Sequence, residues 1–221
     1  VSEIINKDNY CRFMLYYPAD YPFYNENVRN RVLYLNDMDI ISLLENKIQS
    51  KLWFSNCVTI LPYSLEKSQN INLKRLESKF PQYTEFVIQA SSSCGGSGTW
   101  LFSHQTASTI YNFLKRDERY IVTPYIPHSV SVNIHSIIYE KEVVLLPPSV
   151  QIISTENVNF SYNGGDFLSY RKLPQIIKDK VASHAHMIGD KLRDKGYRGV
   201  CGIDFLITES DIYLMEINSR F

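Results

Sequence analysis

The closing stretch of the chain, "GIDFLITESDIYLMEINSRF", restricts the fold more than any other. Two apolar runs, 200–207 and 212–221, flank a short polar turn, which predicts an antiparallel hairpin. Residues 212–221 alternate strictly: Tyr213, Met215 and Ile217 belong to one face, and Leu214, Glu216, Asn218 and Arg220 to the other. With Glu209, Ser210 and Asp211 as a three-residue loop, Ile203 stands opposite Ile217 and Asp204 opposite Glu216. Two carboxylates opposed on one sheet face repel unless a cation lies between them. Carboxylates with an amide oxygen are a hard-oxygen set suited to Mg²⁺, so Asp204, Glu216 and Asn218 are candidate metal ligands. The alternative is an amphipathic hairpin whose solvated face carries Glu, Asn and Arg.

A second feature is "IQASSSCGGSGTW", residues 88–100. The chain has nine glycines, and three of them, with four serines, fall here. Small side chains let backbone N–H groups approach an anion, and hydroxyls add donors. Ser91, Ser92, Ser93, Gly95, Gly96, Ser97, Gly98 and Thr99 are therefore candidate phosphate-binding residues. The loop lacks the GK[ST] of a P-loop, and strands at 85–90 and 99–102 make it the turn of a hairpin. A plain surface turn is the competing reading.

The rest of the chain mixes helices with mainly antiparallel strands, an α+β pattern. Strands are expected at 32–35, 58–61 and 120–126, and a hairpin from 129–139 and 142–147. Helices are expected over 39–54 with Asp39 as N-cap, 73–80, 106–116 and 174–196. Residues 154–170, with Asn163-Gly164-Gly165, read as a polar loop. Lys plus Arg balance Asp plus Glu at 23 each, so nothing points to nucleic acid. No apolar run reaches about 18 residues, which argues against a membrane span. Four scattered cysteines without a CxxC pair fit a reducing cytoplasm.

The order along the chain is strand, glycine loop, strand, helix, a strand interrupted at "TPYI", and finally "GIDF" followed by "YLMEINSRF". This order resembles the ATP-grasp superfamily from about residue 46 to 221. The resemblance implies two α+β lobes with ATP between them: a small lobe at 46–118 with the glycine loop and a large lobe at 119–221, after a remnant region at 1–45. By the same resemblance Asp204, Glu216 and Asn218 hold Mg²⁺ (or Mn²⁺), and Arg220 handles the substrate carboxylate or an acyl phosphate. The family lysine on the helix before the small lobe falls on Lys47, with Lys51 as the alternative. Where a second family lysine precedes the loop, this chain has Gln89. The hinge, 123–126, has no acid, which leaves backbone groups of Tyr125 and Ile126 to read adenine.

The implied activity is an ADP-forming ligase joining a small-molecule or peptide carboxylate to an amine. An ATP-grasp kinase and a non-catalytic nucleotide-binding scaffold are the other classes. A homodimer is compatible with the resemblance, and no nucleic-acid or membrane partner is expected. The short region before residue 46 and the end three residues beyond Asn218 suggest a piece of a longer protein.

Overall fold

The computed structural model describes residues 12–91 and 98–220. In chain order, α1 (Glu26–Arg29), α2 (Met38–Glu45) and α3 (Lys47–Phe54) come first. Then follow β1 (Ser64–Lys67), α4 (Leu73–Lys79), β2 (Phe86–Ala90), β3 (Thr99–Phe102), α5 (Ala107–Tyr111) and β4 (Arg119–Pro124). The remainder is β5 (Val130–Ile138), β6 (Val143–Leu145), β7 (Ser149–Glu156), β8 (Asn159–Asp166), α6 (Phe167–Arg171), α7 (Gln175–Asp194), β9 (Gly199–Ile207) and β10 (Ile212–Asn218).

All strands join one ten-stranded sheet, in the order β1-β4-β2-β3-β8-β7-β5-β9-β10, with β6 paired onto β5. Two main apolar clusters divide the interior, beside a minor one at Val28 and Val32. The larger gathers Ile40, Leu44 and Phe54 from α2 and α3, the α7 stripe of Val181, Ala185, Ile188 and Leu192, and Val132, Ile203, Phe205 and Ile217 from the sheet. The smaller gathers Leu73, Leu76, Phe86, Ile88, Phe102, Ile110 and Val122. The α7 stripe is the one its apolar spacing predicts, and Gly196, just past the C-cap, takes the left-handed φ of 97°.

Several elements differ from expectation. The helix over 39–54 is two helices. Asn46 leaves the helical region (φ −81°, ψ 100°), and its side-chain oxygen accepts from the N–H groups of Ile48 and Gln49 at 3.1 Å each. A capping side chain ended one helix and began the next, while the apolar spacing ran on across the break. The N-cap of α2 is Asp37, and Asp39 lies in its first turn. Residues 58–61 and 32–35 make only isolated bridges, Ile60 with Leu214 and Val32 with Phe13. The helix over 106–116 shrinks to the five residues of α5.

The largest correction is at 154–170. This stretch holds most of an antiparallel hairpin, β7 with β8, followed by α6. The hairpin turns at Asn157 (φ 58°), and much of it is solvent-exposed, so no alternation marked it. Its tip reaches across to the other half. Val158, 5% exposed, packs in the smaller cluster, its carbonyl accepts from the Leu101 N–H at 2.9 Å, and Asn159 pairs with Trp100. Among the described residues, no helix is long and apolar enough to cross a membrane, and Cys57 and Cys201 are free thiols.

Candidate active site

A cleft of about 1230 Å³ runs between the two halves of the sheet. One wall is the row of β5, β9 and β10. Asp204 pairs with Asn133 on one side and Glu216 on the other, so the carboxylates are opposed as the sequence predicts. The route to that register is different. The turn has four residues, 208–211, which shifts the pairing by one, and a bulge between Leu214 and Glu216 shifts it back. Strict alternation therefore fails: Leu214 is buried in the core with Ile212 and Ile217, while Glu216 and Asn218 line the cleft.

Asp204 is wrapped in amides. Its Oδ1 accepts from Asn133 Nδ2 at 2.7 Å and Gln151 Nε2 at 3.1 Å, and its Oδ2 accepts from Asn218 Nδ2 at 3.1 Å. Burial pushes its carboxyl up to about 6, and nearby Glu216 pushes the same way, against the amide donors. Glu216 is held by Lys47, whose Nζ lies 3.1 Å from Oε2 and whose side chain is nearly buried. Lys47 is the first residue of α3 after the Asn46 cap, and its own N–H donates to the Ser91 carbonyl at 3.4 Å. Helix start, loop start and acidic row are thereby tied together. Lys51, one turn on, does not line the cleft; burial lowers its ammonium to about 8.

The facing wall is β2, β3 and β4. Phe86 and Ile88 are buried, and Val87 and Gln89 line the cleft, with Thr99 opposite Gln89. At the end of β4, the Tyr125 N–H donates to the Glu85 carbonyl at 2.9 Å, and Ser129 Oγ donates to the Ile126 carbonyl at 2.7 Å. Among the described residues, the Tyr125 carbonyl and the Ile126 N–H have no partner. The buried Thr123 hydroxyl, also on the cleft, has none either. Arg220 lines the cleft together with Tyr17 and Glu45. The Tyr17 hydroxyl bonds Glu45, and burial and that carboxylate raise the phenol well above its usual range. Ser92, Ser93, Gly95, Gly96 and Ser97 lie outside the described residues. Ser91 and Gly98 stand at the two ends of that stretch, where the Gly98 carbonyl accepts from the Ala90 N–H at 2.9 Å.

Residues 44–221 match a profile described as the ATP-grasp domain. The chain belongs to the ATP-grasp family. Over 99 residues the chain is 34% identical to a curated protein, "[Butirosin acyl-carrier protein]--L-glutamate ligase" of Niallia circulans. That alignment covers 42% of this chain and 22% of the relative. Carboxyaminoimidazole ribonucleotide synthase of Aspergillus clavatus, solved with ATP, superposes with a TM-score of 0.65 at 16% identity, covering 89% of this chain and 50% of that one. D-alanyl-alanine synthetase A of Vibrio cholerae gives 0.61 at 16% identity, covering 84% and 59%. The chain thus spans about a fifth of the curated relative and 50–59% of these two solved chains. The two superpositions agree with the α+β fold read from the sequence.

Sequence reading named Asn218 but missed the other two amides on Asp204, Asn133 and Gln151. "SVNIHS" alternates, which puts Ser131, Asn133 and His135 on one face of β5, and all three line the cleft. That alternation was the available signal. His135 is half-buried, and burial lowers its pKa below the usual 6.5. Opposite it, Gly202 leaves room: a Cβ there would stand 3.3 Å from both Asn133 Nδ2 and His135 Nε2. Gln151, on a strand the sequence did not reveal, carried no signal.

Proposed function

We propose that this chain is the nucleotide-binding core of an ADP-forming ligase that activates a carboxylate and joins it to an amine. The observation that carries this is the opposed pair Asp204 and Glu216, with Lys47 on Glu216, facing Gln89 and Thr99 across one cleft. The small lobe would lie at 46–118 and the large lobe from 119 onward, except that β4 pairs with β1 and β2 on the small-lobe side and α3 is seated against the larger cluster through Phe54.

The donor chemistry fits a hard divalent cation. Asp204 Oδ1 already accepts two hydrogen bonds, but Oδ2 accepts only one, which leaves it a lone pair for a cation. No group of three His, Cys, Asp or Glu side chains is gathered among the described residues, so the third oxygen would be the Asn218 amide. Mg²⁺ (or Mn²⁺) held there by Asp204, Glu216 and Asn218 would supply charge neutralisation at the phosphates. Gln89 and the hydroxyl of Thr99 would donate to phosphate oxygens from the other wall, and the small residues between Ser91 and Gly98 would add backbone and hydroxyl donors. The Ile126 N–H and Tyr125 carbonyl form a donor–acceptor pair suited to the adenine edge, and the Thr123 hydroxyl adds a third group. Arg220 would hold the carboxylate substrate bidentately. A carboxylate oxygen attacks the γ-phosphorus, ADP leaves, and an acyl phosphate remains. The amine then attacks the acyl carbon, phosphate leaves, and the amine proton passes to solvent.

The curated relative named as a ligase supports a ligase over a kinase. The test is ADP release on a panel of amino acids and acyl carboxylates with hydroxylamine as the trapping amine. Carboxylate-dependent ADP release with a hydroxamate product is expected. ADP release without hydroxamate, on hydroxyl substrates alone, would make the protein a kinase, and nucleotide binding without turnover would make it a scaffold.

A further inference from the structure

The polarity of β10 changes phase in mid-strand. Ile212 and Leu214 are buried in the core, and so is Ile217, an odd step from them. Without an extra residue between, Glu216 would share the face of Leu214 and enter the apolar core. The bulge, with Met215 as the extra residue opposite β9, prevents this and turns Glu216 to the cleft. A bulge leaves part of the ladder unpaired, and an unpaired buried carbonyl is costly. Here the Met215 carbonyl accepts from Lys51 Nζ at 3.0 Å. Lys51 is 2% exposed, lies outside the cleft lining and has no carboxylate in salt-bridge contact among the described residues. Lys47, one turn earlier on the same helix, holds the Glu216 carboxylate itself. One helix therefore grips both the backbone of the bulge and the side chain it presents.

We propose that Lys51 is a positioning residue whose buried ammonium, bonded to the Met215 carbonyl, fixes the bulge that aims Glu216 into the cleft. This rests on the reading of Glu216 as a metal ligand. Lys51 touches neither nucleotide nor metal in this arrangement; it sets where the carboxylate stands. An ammonium serves because it brings several donors on a long stem that reaches from α3 to the strand.

Two readouts that need no turnover test this: Mn²⁺ affinity in the presence of ADP, by electron paramagnetic resonance, and amide hydrogen exchange across 212–218. Lys51→Met should raise the Mn²⁺ dissociation constant about tenfold or more, as loss of a ligand's support does. It should leave metal-free ADP affinity within about threefold and speed exchange at Met215 and Glu216. Lys51→Gln, which keeps an N–H donor and drops the charge, should recover most of both losses. Wild-type Mn²⁺ affinity with wild-type exchange in the Met variant would overturn the proposal. A Gln variant no better than the Met variant would overturn it too, because charge rather than the hydrogen bond would then be what matters. Should the Met variant not fold, the Gln variant decides alone: near-native Mn²⁺ affinity supports the proposal and a tenfold loss overturns it. If the wild-type protein binds no Mn²⁺, the metal-ligand reading of Glu216 is what fails, and the exchange data still decide what Lys51 does to the bulge.

Discussion

Asp204 accepts three amide hydrogen bonds and still carries a carboxyl raised to about 6, because burial and Glu216 outweigh those donors. The direction has a consequence for stability. A carboxyl raised in the fold contributes stability that is complete below its unfolded value near 4 and is lost as pH rises through about 6. The metal-free protein should therefore lose on the order of 3 kcal/mol between about pH 4 and pH 6 from this group. Urea unfolding of wild type and Asp204→Asn across that range checks it: the difference between the two curves should slope, and a flat difference would remove the carboxyl from the balance. Divalent-cation affinity should run the other way and strengthen as pH rises through the same range, since the ion needs the ionised form. Glu216→Ala should abolish ADP formation and weaken nucleotide binding with Mg²⁺ far more than without it. Calorimetry in both conditions tests this, and equal losses would move the metal elsewhere. Asp204 and Glu216 were legible because charges on apolar strands are conspicuous. Asn133 and Gln151 were not, because an amide on an alternating or exposed strand looks like any solvated face.

At the scale of elements, sequence periodicity found most helices and strands and misplaced their joints. Asn46 interrupts 39–54 while the apolar spacing continues, so only its capping chemistry could have marked the break. Asn46→Ala should cost about 1 kcal/mol, as removal of an N-cap does. Because Lys47 follows it directly, the same change should also lower Mg²⁺-dependent nucleotide affinity; denaturant unfolding and calorimetry on one variant separate the two effects. The closing hairpin was read with the correct carboxylate register through a three-residue loop and a straight strand. Four turn residues and a one-residue bulge give the same pairing because their offsets cancel. β7 and β8 were invisible since a ribbon with both faces largely wet has no apolar period.

For the molecule as a whole, the order of motifs was enough to recover the family and the α+β fold, which the ATP-grasp profile over 44–221 bears out. What it did not carry was the way the halves connect. Val158 anchors the β7–β8 tip in the smaller cluster. Val158→Ala should cost about 2 kcal/mol for its lost burial, and should speed hydrogen exchange at Leu101, whose N–H meets the Val158 carbonyl. Unchanged exchange there would mean that the apolar plug does not hold the ribbon in place. Seen as a mechanical object, the sheet has one weak seam. β5 and β9 are laced along nine residues each, whereas β3 and β8 meet at a single paired position, Trp100 with Asn159. A force pulling β2 away from β9 would be borne in series by every ladder between them and would part the shortest first. The break would run along the back of the cleft and leave the acidic row on one fragment with its amides still bonded, so the protein should yield like a hinged clasp and not like a zip.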